Sequence, residues 1–435
     1  MKKSHYPPRF WPALVIFSLT GQIAWVVENM YFNVFVYKMF GASASAISVM
    51  VAASAVSATL TTIFIGALSD KLGKRKLFIC GGYILWGISI AGFALIRTDV
   101  LGTLFPMAVS ASAVGVSLVI IMDCVMTFFG SSANDACFNA WLTDATDEAG
   151  RGAAEGVNAM MPLMAILVVF GGFMAFDLDK AESWTTIYLI IGGAVLLIGI
   201  LGLFLIQETA VKQPENQHFF RNIFYGFRPA VIRENGMLYM TLFAFAVFGI
   251  SIQIFMPYLI LYYNVSLGMD NYVLIMAPAI LIAAAVTAVY GRVYDRVGFM
   301  RAALPAVGML CAGYILLFFC KGSDLVFVGS LLMMCGYLSG MAVCGAMIRD
   351  RTPAGKAGMF QGLRIVGQVL IPGIIGPAIG AAVLKNADTV LNDDGTYSFI
   401  PNENIFLAAL AAAVCLLLVL AVQQRMLKKE AHDRG

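Results

Sequence analysis

Twelve apolar runs divide the chain, at residues 10–38, 46–68, 77–97, 104–143, 153–176, 184–207, 236–264, 271–290, 302–320, 325–348, 358–385 and 404–424. A helix needs about 20 apolar residues to cross a hydrocarbon core. The pattern therefore predicts an all-α polytopic membrane protein with twelve transmembrane helices. The fourth run is too long for one simple span. Asp70 and Asp144 lie 74 positions apart, whereas their apparent counterparts Asp295 and Asp350 lie 55 apart. The surplus predicts either a long, kinked fourth helix or a short helical excursion on the outer side near 98–112. Between the sixth and seventh runs, Phe219, Ile223 and Phe227 recur every four residues, as do Phe220 and Phe224. That spacing predicts an amphipathic helix lying on the inner leaflet within a cytoplasmic linker, 208–235. The polar loop 386–403 carries Asp388, Asp393, Asp394 and Gly395. It lacks the full spacing of a calcium loop and reads as solvated.

Polar residues cluster between runs, and one cluster repeats. Gly66, Asp70, Lys71, Gly73 and Lys76 separate the second and third runs; Gly291, Asp295, Arg296, Gly298 and Arg301 match them at one offset of 225. A repeat at half the chain length implies two similar halves, 1–207 and 236–435.

The glycine–acid–cation loop between the second and third spans, with its weaker copy between the eighth and ninth, resembles the loop signature of the major facilitator superfamily. The resemblance implies two six-helix bundles with inverted repeats and transport by alternating access. It also implies a charge cluster that latches the bundles. In this chain the cluster falls on Asp70, Lys74, Arg75, Asp144 and Arg151, with Asp295, Arg301 and Asp350 in the second half.

Composition agrees with a bilayer as solvent. Charged residues make up 12% of the chain and hydrophobic residues 60%, and mean hydropathy is +0.85; a soluble domain carries about a quarter charged residues. The net charge of +3 shows no clustered basic face, so nucleic acid is not an expected partner. Of 28 Lys and Arg, Lys38, Arg97, Lys180, Lys321 and Lys385 fall on one side and Arg364 inside a span; the remaining 22 fall on the side of the termini. The positive-inside rule puts both termini in the cytoplasm and the protein in the cytoplasmic membrane. The basic start, Lys2 to Arg9, runs straight into a span and lacks a signal-peptide cleavage pattern. The eight cysteines sit in apolar stretches without metal-ligand spacing and read as small buried hydrophobes. No cofactor is expected. The three histidines lie in the termini and the central loop, which leaves none for an intramembrane proton relay.

Charges within a bilayer are expensive and mostly functional. Glu28 lies in the first span, Asp123 and Asp135 in the fourth, and Arg364 in the eleventh. A carboxyl out of water holds its proton more tightly, which lets it load and unload near neutral pH. These three acids are the candidate coupling groups. On the first span, Gln22, Asn29 and Asn33 share one face beside Trp25 and Phe32. Amides beside aromatic rings suit a sugar, and helix-to-helix amide packing is the structural alternative. Asn134, Asn158, Gln253 and Tyr258 are further candidate solute ligands, and Tyr262, Tyr263 and Asn264 follow on the seventh span. Gln361, Arg364 and Gln368 form a polar stripe on the eleventh span, where Arg364 either faces a cavity or snorkels outward.

Asn139 to Arg151, with its Thr143–Asp144 pair, resembles the end of helix four in the melibiose-permease branch of cation symporters. That branch also uses acids on its second helix, and the second run here has none, which favours protons over sodium. Proline and glycine on the fifth run lack the exporter spacing. The expected function is a proton-coupled symporter of a small polar solute, a sugar or glycoside, acting as a monomer. A proton-exchange exporter of drugs or metabolites is the alternative. No nucleotide loop or nucleophile–base pair suggests an enzyme.

Overall fold

A computed structural model describes residues 7–105, 110–146, 151–208, 225–353, 357–391 and 397–434. Twelve helices in it are long and apolar enough to cross a membrane. They are α1 (Phe10–Phe40), α2 (Ala44–Leu72), α3 (Arg75–Leu95), α4 (Ala111–Ala145), α5 (Gly156–Phe173) and α6 (Ala181–Leu205), then α7 (Gly236–Ser266), α8 (Tyr272–Val297), α9 (Phe299–Phe319), α10 (Ser323–Arg351), α11 (Gly362–Asn386) and α12 (Asn404–Lys429). Each corresponds in order to one apolar run. Large apolar side chains remain exposed on them, Phe204 at 67% and Phe319 at 75% among them. Hydrocarbon can cover such faces, and a helix is suited to it because its backbone bonds are satisfied internally.

The long fourth run resolves into two elements. A separate short helix, Thr98–Leu104, precedes α4. Ser110 then caps α4 by accepting from the Ala113 N–H at 3.3 Å, and the helix passes into a π-helical segment at Ser131–Phe138. A short helix thus lies within 98–112, and α4 is irregular in its hydrogen-bond register. The amphipathic stretch 219–224 of the linker, including Phe219, Phe220, Ile223 and Phe224, lies outside the described residues. A short helix, Pro229–Glu234, leads from the linker into α7. The loop before α12 contains a two-stranded antiparallel hairpin, β1 (Thr389–Leu391) with β2 (Tyr397–Phe399). Asp393, Asp394 and Gly395 lie outside the described residues.

Contacts divide the chain into two compact units, one of residues 1–46 and 53–219, the other of 47–52 and 220–435. The first unit packs rings from α1, α3 and α6. Phe32 lies 4.6 Å from Phe93, and Phe35 lies 5.0 Å from Tyr188 and 5.2 Å from Trp184, measured between ring centroids. Such edge and tilted pairs add to simple burial. In the second unit, Ser251 donates to the Ala409 carbonyl at 2.8 Å, and Gln423 donates to Thr241 at 2.9 Å, which ties α7 to α12.

The repeated loop has a backbone cause. Gly73 closes α2 with φ +63° and Gly298 closes α8 with φ +79°. Both conformations suit glycine, because a Cβ would crowd the carbonyl. Replacing Gly73 by alanine should cost about 1 kcal/mol through that crowding. Gly81, which has open space in α3, should tolerate alanine or gain slightly. Thermal unfolding of the purified variants checks this; equal effects at the two positions would contradict it.

Candidate functional site

The first unit gathers its intramembrane acids on two facing helices. Glu28 belongs to a π-helical turn of α1, Val27–Tyr31. Such insertions often mark functional positions. Its side chain is 7% exposed. Glu28 Oε1 lies within hydrogen-bond distance of Ser54 Oγ of α2, at 2.7 Å, and of Thr127 Oγ1 of α4, at 2.9 Å. Oε2 is buried and has no partner. Asp123 stands four residues before Thr127, on the same face of α4. It is 2% exposed, and its Oδ1 has no partner. Glu28 lies near enough for its charge to act on Asp123.

Asp135 sits in the π segment of α4, half-buried. It accepts from Ser131 Oγ and from Asn134 Nδ2, each at 3.1 Å. The Trp25 indole lies beside it without completing a hydrogen bond, so its buried N–H has no partner. Among the described residues, no Lys or Arg forms an ion pair with Glu28, Asp123 or Asp135.

A rigid wall supports these groups. Asn134 Oδ1 lies 3.0 Å from the Tyr83 hydroxyl, which also reaches the Phe17 carbonyl at 2.8 Å. A Cβ on Gly21 would stand 2.4 Å from Asn134 Oδ1 and 2.7 Å from the Tyr83 hydroxyl. Only glycine lets α1 come this close. Trp25 packs on Trp86 of α3 with ring centroids 5.0 Å apart, and Trp86 is fully buried.

The other expected solute ligands are placed as follows. Gln22 is half-buried on α1. Asn29 is exposed, and its amide donates to the Trp25 carbonyl at 2.8 Å. Asn33 is 1% exposed, donates to the Asn29 carbonyl at 3.2 Å and leaves its own Oδ1 unpartnered. Asn158 accepts from Ser18. In the second unit, Arg364 Nε donates to Gln368 Oε1 at 3.1 Å beside another π turn, Val366–Leu370. Gln253 lies against Gly376. Tyr258 is fully buried and donates to the Pro377 carbonyl at 3.3 Å, a packing contact between α7 and α11. The side chain of Gln361 lies outside the described ones, as does that of Arg151.

A second cluster surrounds Arg75, at the start of α3. Arg75 is 4% exposed. Its guanidinium pairs with Asp70, donates to Asp144 at 3.2 Å and to Ser69 Oγ at 2.6 Å. Ser69 Oγ in turn donates a hydrogen bond to the Gly66 carbonyl at 2.9 Å. The fork of donors on arginine is suited to bridging two carboxylates in this way. Lys74 is exposed and joins no ion pair among the described residues. Among the described residues, the positions matching Arg75 and Ser69 in the second half do not rebuild this hub. At the repeat offset Met300 stands for Arg75 and Tyr294 for Ser69. Tyr294 donates its hydroxyl to Asp350, while Asp295 and Arg301 are exposed.

Sequence reasoning singled out the acids and missed Ser54, Thr127, Tyr83 and Trp86. Thr127 carried one usable signal, its four-residue spacing from Asp123. Ser54 carried none, since α2 is rich in serine and threonine throughout.

The family model for the Major Facilitator Superfamily matches residues 10–377. No curated protein sequence matches the chain significantly. Among solved structures, a point variant of the nucleoside transporter NupG matches with a TM-score of 0.71 at 12% identity, over 95% of this chain and 99% of that one. A bacterial homologue of the human lysosomal transporter Spinster matches with 0.68 at 15% identity, over 97% and 98%. The xylose transporter XylE from E. coli matches with 0.68 at 14% identity, over 93% and 96%. The expected twelve-helix, two-bundle fold is the fold of these structures.

Replacing Arg75 by glutamine should destabilise the protein by roughly 2–4 kcal/mol, because two carboxylates lose a buried partner. Lys74→Ala should stay within about 0.5 kcal/mol. Thermal unfolding in detergent separates the two; a small loss at Arg75, or equal losses, would contradict the hub.

Proposed function

We propose, since this chain belongs to the Major Facilitator Superfamily, that it is a proton-coupled secondary transporter of a small polar solute, a sugar or glycoside. It works by alternating access, as a monomer in the cytoplasmic membrane with both termini in the cytoplasm. The positive-inside distribution supports that orientation. The observation that carries the reading is the Glu28–Asp123 pair. Two carboxyl groups are buried in one helix bundle with an oxygen each left unpartnered and no cation opposite. Buried charges are expensive without a partner, so protons are the natural counter-ions. Asp135 is the third group able to exchange a proton, held by its amide and hydroxyl donors.

The solute class rests on α1. Gln22, Trp25 and Asn29 offer amides beside an indole that Trp86 holds in place, a combination suited to hydroxyls and a sugar ring. Asn33, Asn134, Asn158, Gln253, Tyr258, Gln361, Arg364 and Gln368 complete the proposed set, with Tyr258 and Asn134 shaping it through their packing partners. The xylose transporter among the similar structures is in keeping with this class. The resemblance at Asn139–Arg151 to the melibiose-permease branch points the same way. The Asp70–Arg75–Asp144 cluster serves as the gate, with Lys74 and Arg151 beside it in sequence. Asp295, Arg301 and Asp350 form a weaker counterpart.

A thermal-shift screen of the purified protein against a solute library identifies the ligand; at about 100 times its Kd, a bound solute adds about 2.7 kcal/mol. Hits among sugars and glycosides are expected, and hits confined to hydrophobic drugs would favour export. In proteoliposomes, Glu28→Gln should abolish proton-driven accumulation of the solute and leave solute exchange largely intact, and Asp123→Asn should weaken accumulation. Asp70→Asn should alter the rate without abolishing the coupling. Normal accumulation with an unchanged pH profile in both the Glu28 and Asp123 variants would overturn proton coupling by these residues.

A further inference from the structure

Three oxygen atoms form a triangle in the first unit. Glu28 Oε1 lies 2.7 Å from Ser54 Oγ and 2.9 Å from Thr127 Oγ1, and the two hydroxyl oxygens lie 2.8 Å from each other. Each side is a hydrogen-bond length for a pair of oxygens, so each side calls for one proton. Serine and threonine supply one apiece. Two protons cannot fill three sides. If both hydroxyls donate to an ionised Glu28, their own oxygens face each other with nothing between. If one donates to the other, a side to the carboxylate is left bare. A proton on Glu28 Oε1 completes the set, because each oxygen then donates once and accepts once.

Glu28 Oε2 points to the same state. It is buried and accepts from nothing. As half of a carboxylate it would carry charge with no donor, whereas the carbonyl oxygen of a neutral acid costs far less there. The surrounding groups do not change this. Asp123 and Cys124 of α4 and Asp135 further along the same helix act on Glu28 or are acted on by it. Tyr188 of α6 faces Asp123, its hydroxyl buried without a partner. The stretch of α2 around Ser54 brings no titratable side chain. None of these neighbours is a cation.

We propose that Ser54 and Thr127 are positioning residues for proton coupling: with protonated Glu28 they close a ring of three hydrogen bonds that ties α1, α2 and α4 together, and the ring loses one side when the proton leaves. This rests on the coupling role given to Glu28 above. When the Glu28 O–H bond breaks, the proton passes to water and the electron pair stays on the carboxylate. Both hydroxyls then turn toward the new charge. Their oxygens repel, and α2 separates from α4 at this level. One turn away, Ser57 Oγ donates to the Cys124 carbonyl at 3.0 Å. That second link between α2 and α4 contains no titratable group, so it persists in both states and acts as the pivot.

Infrared difference spectroscopy of the full-length protein in nanodiscs, titrated from acid to alkaline pH, tests the ring. A carbonyl stretch of a protonated carboxyl group should be present in the wild type and lost in Glu28→Gln. Its frequency should shift in Ser54→Ala and in Thr127→Ala, return in Thr127→Ser, and stay in place in Ser57→Ala. The ring is overturned if no such band depends on Glu28, if neither hydroxyl deletion moves it, or if Ser57→Ala moves it as far. Deleting the two hydroxyls separately, with Thr127→Ser keeping the group, leaves the test in force should one variant misfold. The coupling role fails separately, when Glu28→Gln accumulates solute normally. Loss of accumulation in Glu28→Gln with a band indifferent to both hydroxyls would sink the ring alone.

Discussion

Acidic side chains in a medium without water set the terms for the first unit. Glu28, Asp123 and Asp135 have no cationic partner among the described residues, so every donor they use comes from a neighbouring helix or from a local change in helical register. Ser54 of α2 and Thr127 of α4 close on Glu28 of α1. Asn134 links Asp135 to Tyr83 of α3, and Tyr83 reaches the Phe17 carbonyl of α1. The polar groups thus join α1, α2 and α4 at one level and α1, α3 and α4 at another, about two to three turns away, and Gly21 permits the closer approach. In hydrocarbon, apolar contact alone discriminates poorly between helix partners. Hydrogen bonds supply the discrimination here.

The two halves use their shared loop differently. In the first, Arg75 is buried among Asp70, Asp144 and Ser69. In the second, Met300 and Tyr294 occupy the corresponding positions, and a phenol hydroxyl serves Asp350. An ionic hub is replaced by a single hydrogen bond to one carboxylate. The bridging of two acids is lost with the guanidinium, since a phenol has one proton to donate. A positive-φ glycine ends the helix in both halves, but the turns differ: Gly73 is left-handed helical, with ψ +24°, and Gly298 is extended in ψ, at 175°.

The twelve spans were legible in the sequence because they follow from length and apolarity, and the repeated loop because its residues match at one offset; the positive φ at Gly73 and Gly298 belongs to the backbone alone. The acids were legible because a charge in an apolar run stands out. The π-helical turns at Val27–Tyr31, Ser131–Phe138, Tyr262–Ser266 and Val366–Leu370 were not. They are shifts in hydrogen-bond register, and no residue type marks them. Ser54 was hidden among many small hydroxyl residues of α2, and its importance exists only once α1 and α4 are beside it. The partner of Tyr258 was not legible either: its hydroxyl reaches the Pro377 carbonyl of α11, a contact that exists only once α7 and α11 pack together. The paired strands Thr389–Leu391 and Tyr397–Phe399 are too short for a periodicity to declare them.

The central claim is that solute binding and the proton on Glu28 are linked. Calorimetric titration of the purified protein with its identified solute, in two buffers of different ionisation enthalpy, counts the protons exchanged with the medium on binding. The account predicts a non-zero count in the wild type that falls to zero when Glu28→Gln and Asp123→Asn are combined. A count of zero in the wild type across the pH range, or one that survives in the double variant, would contradict it.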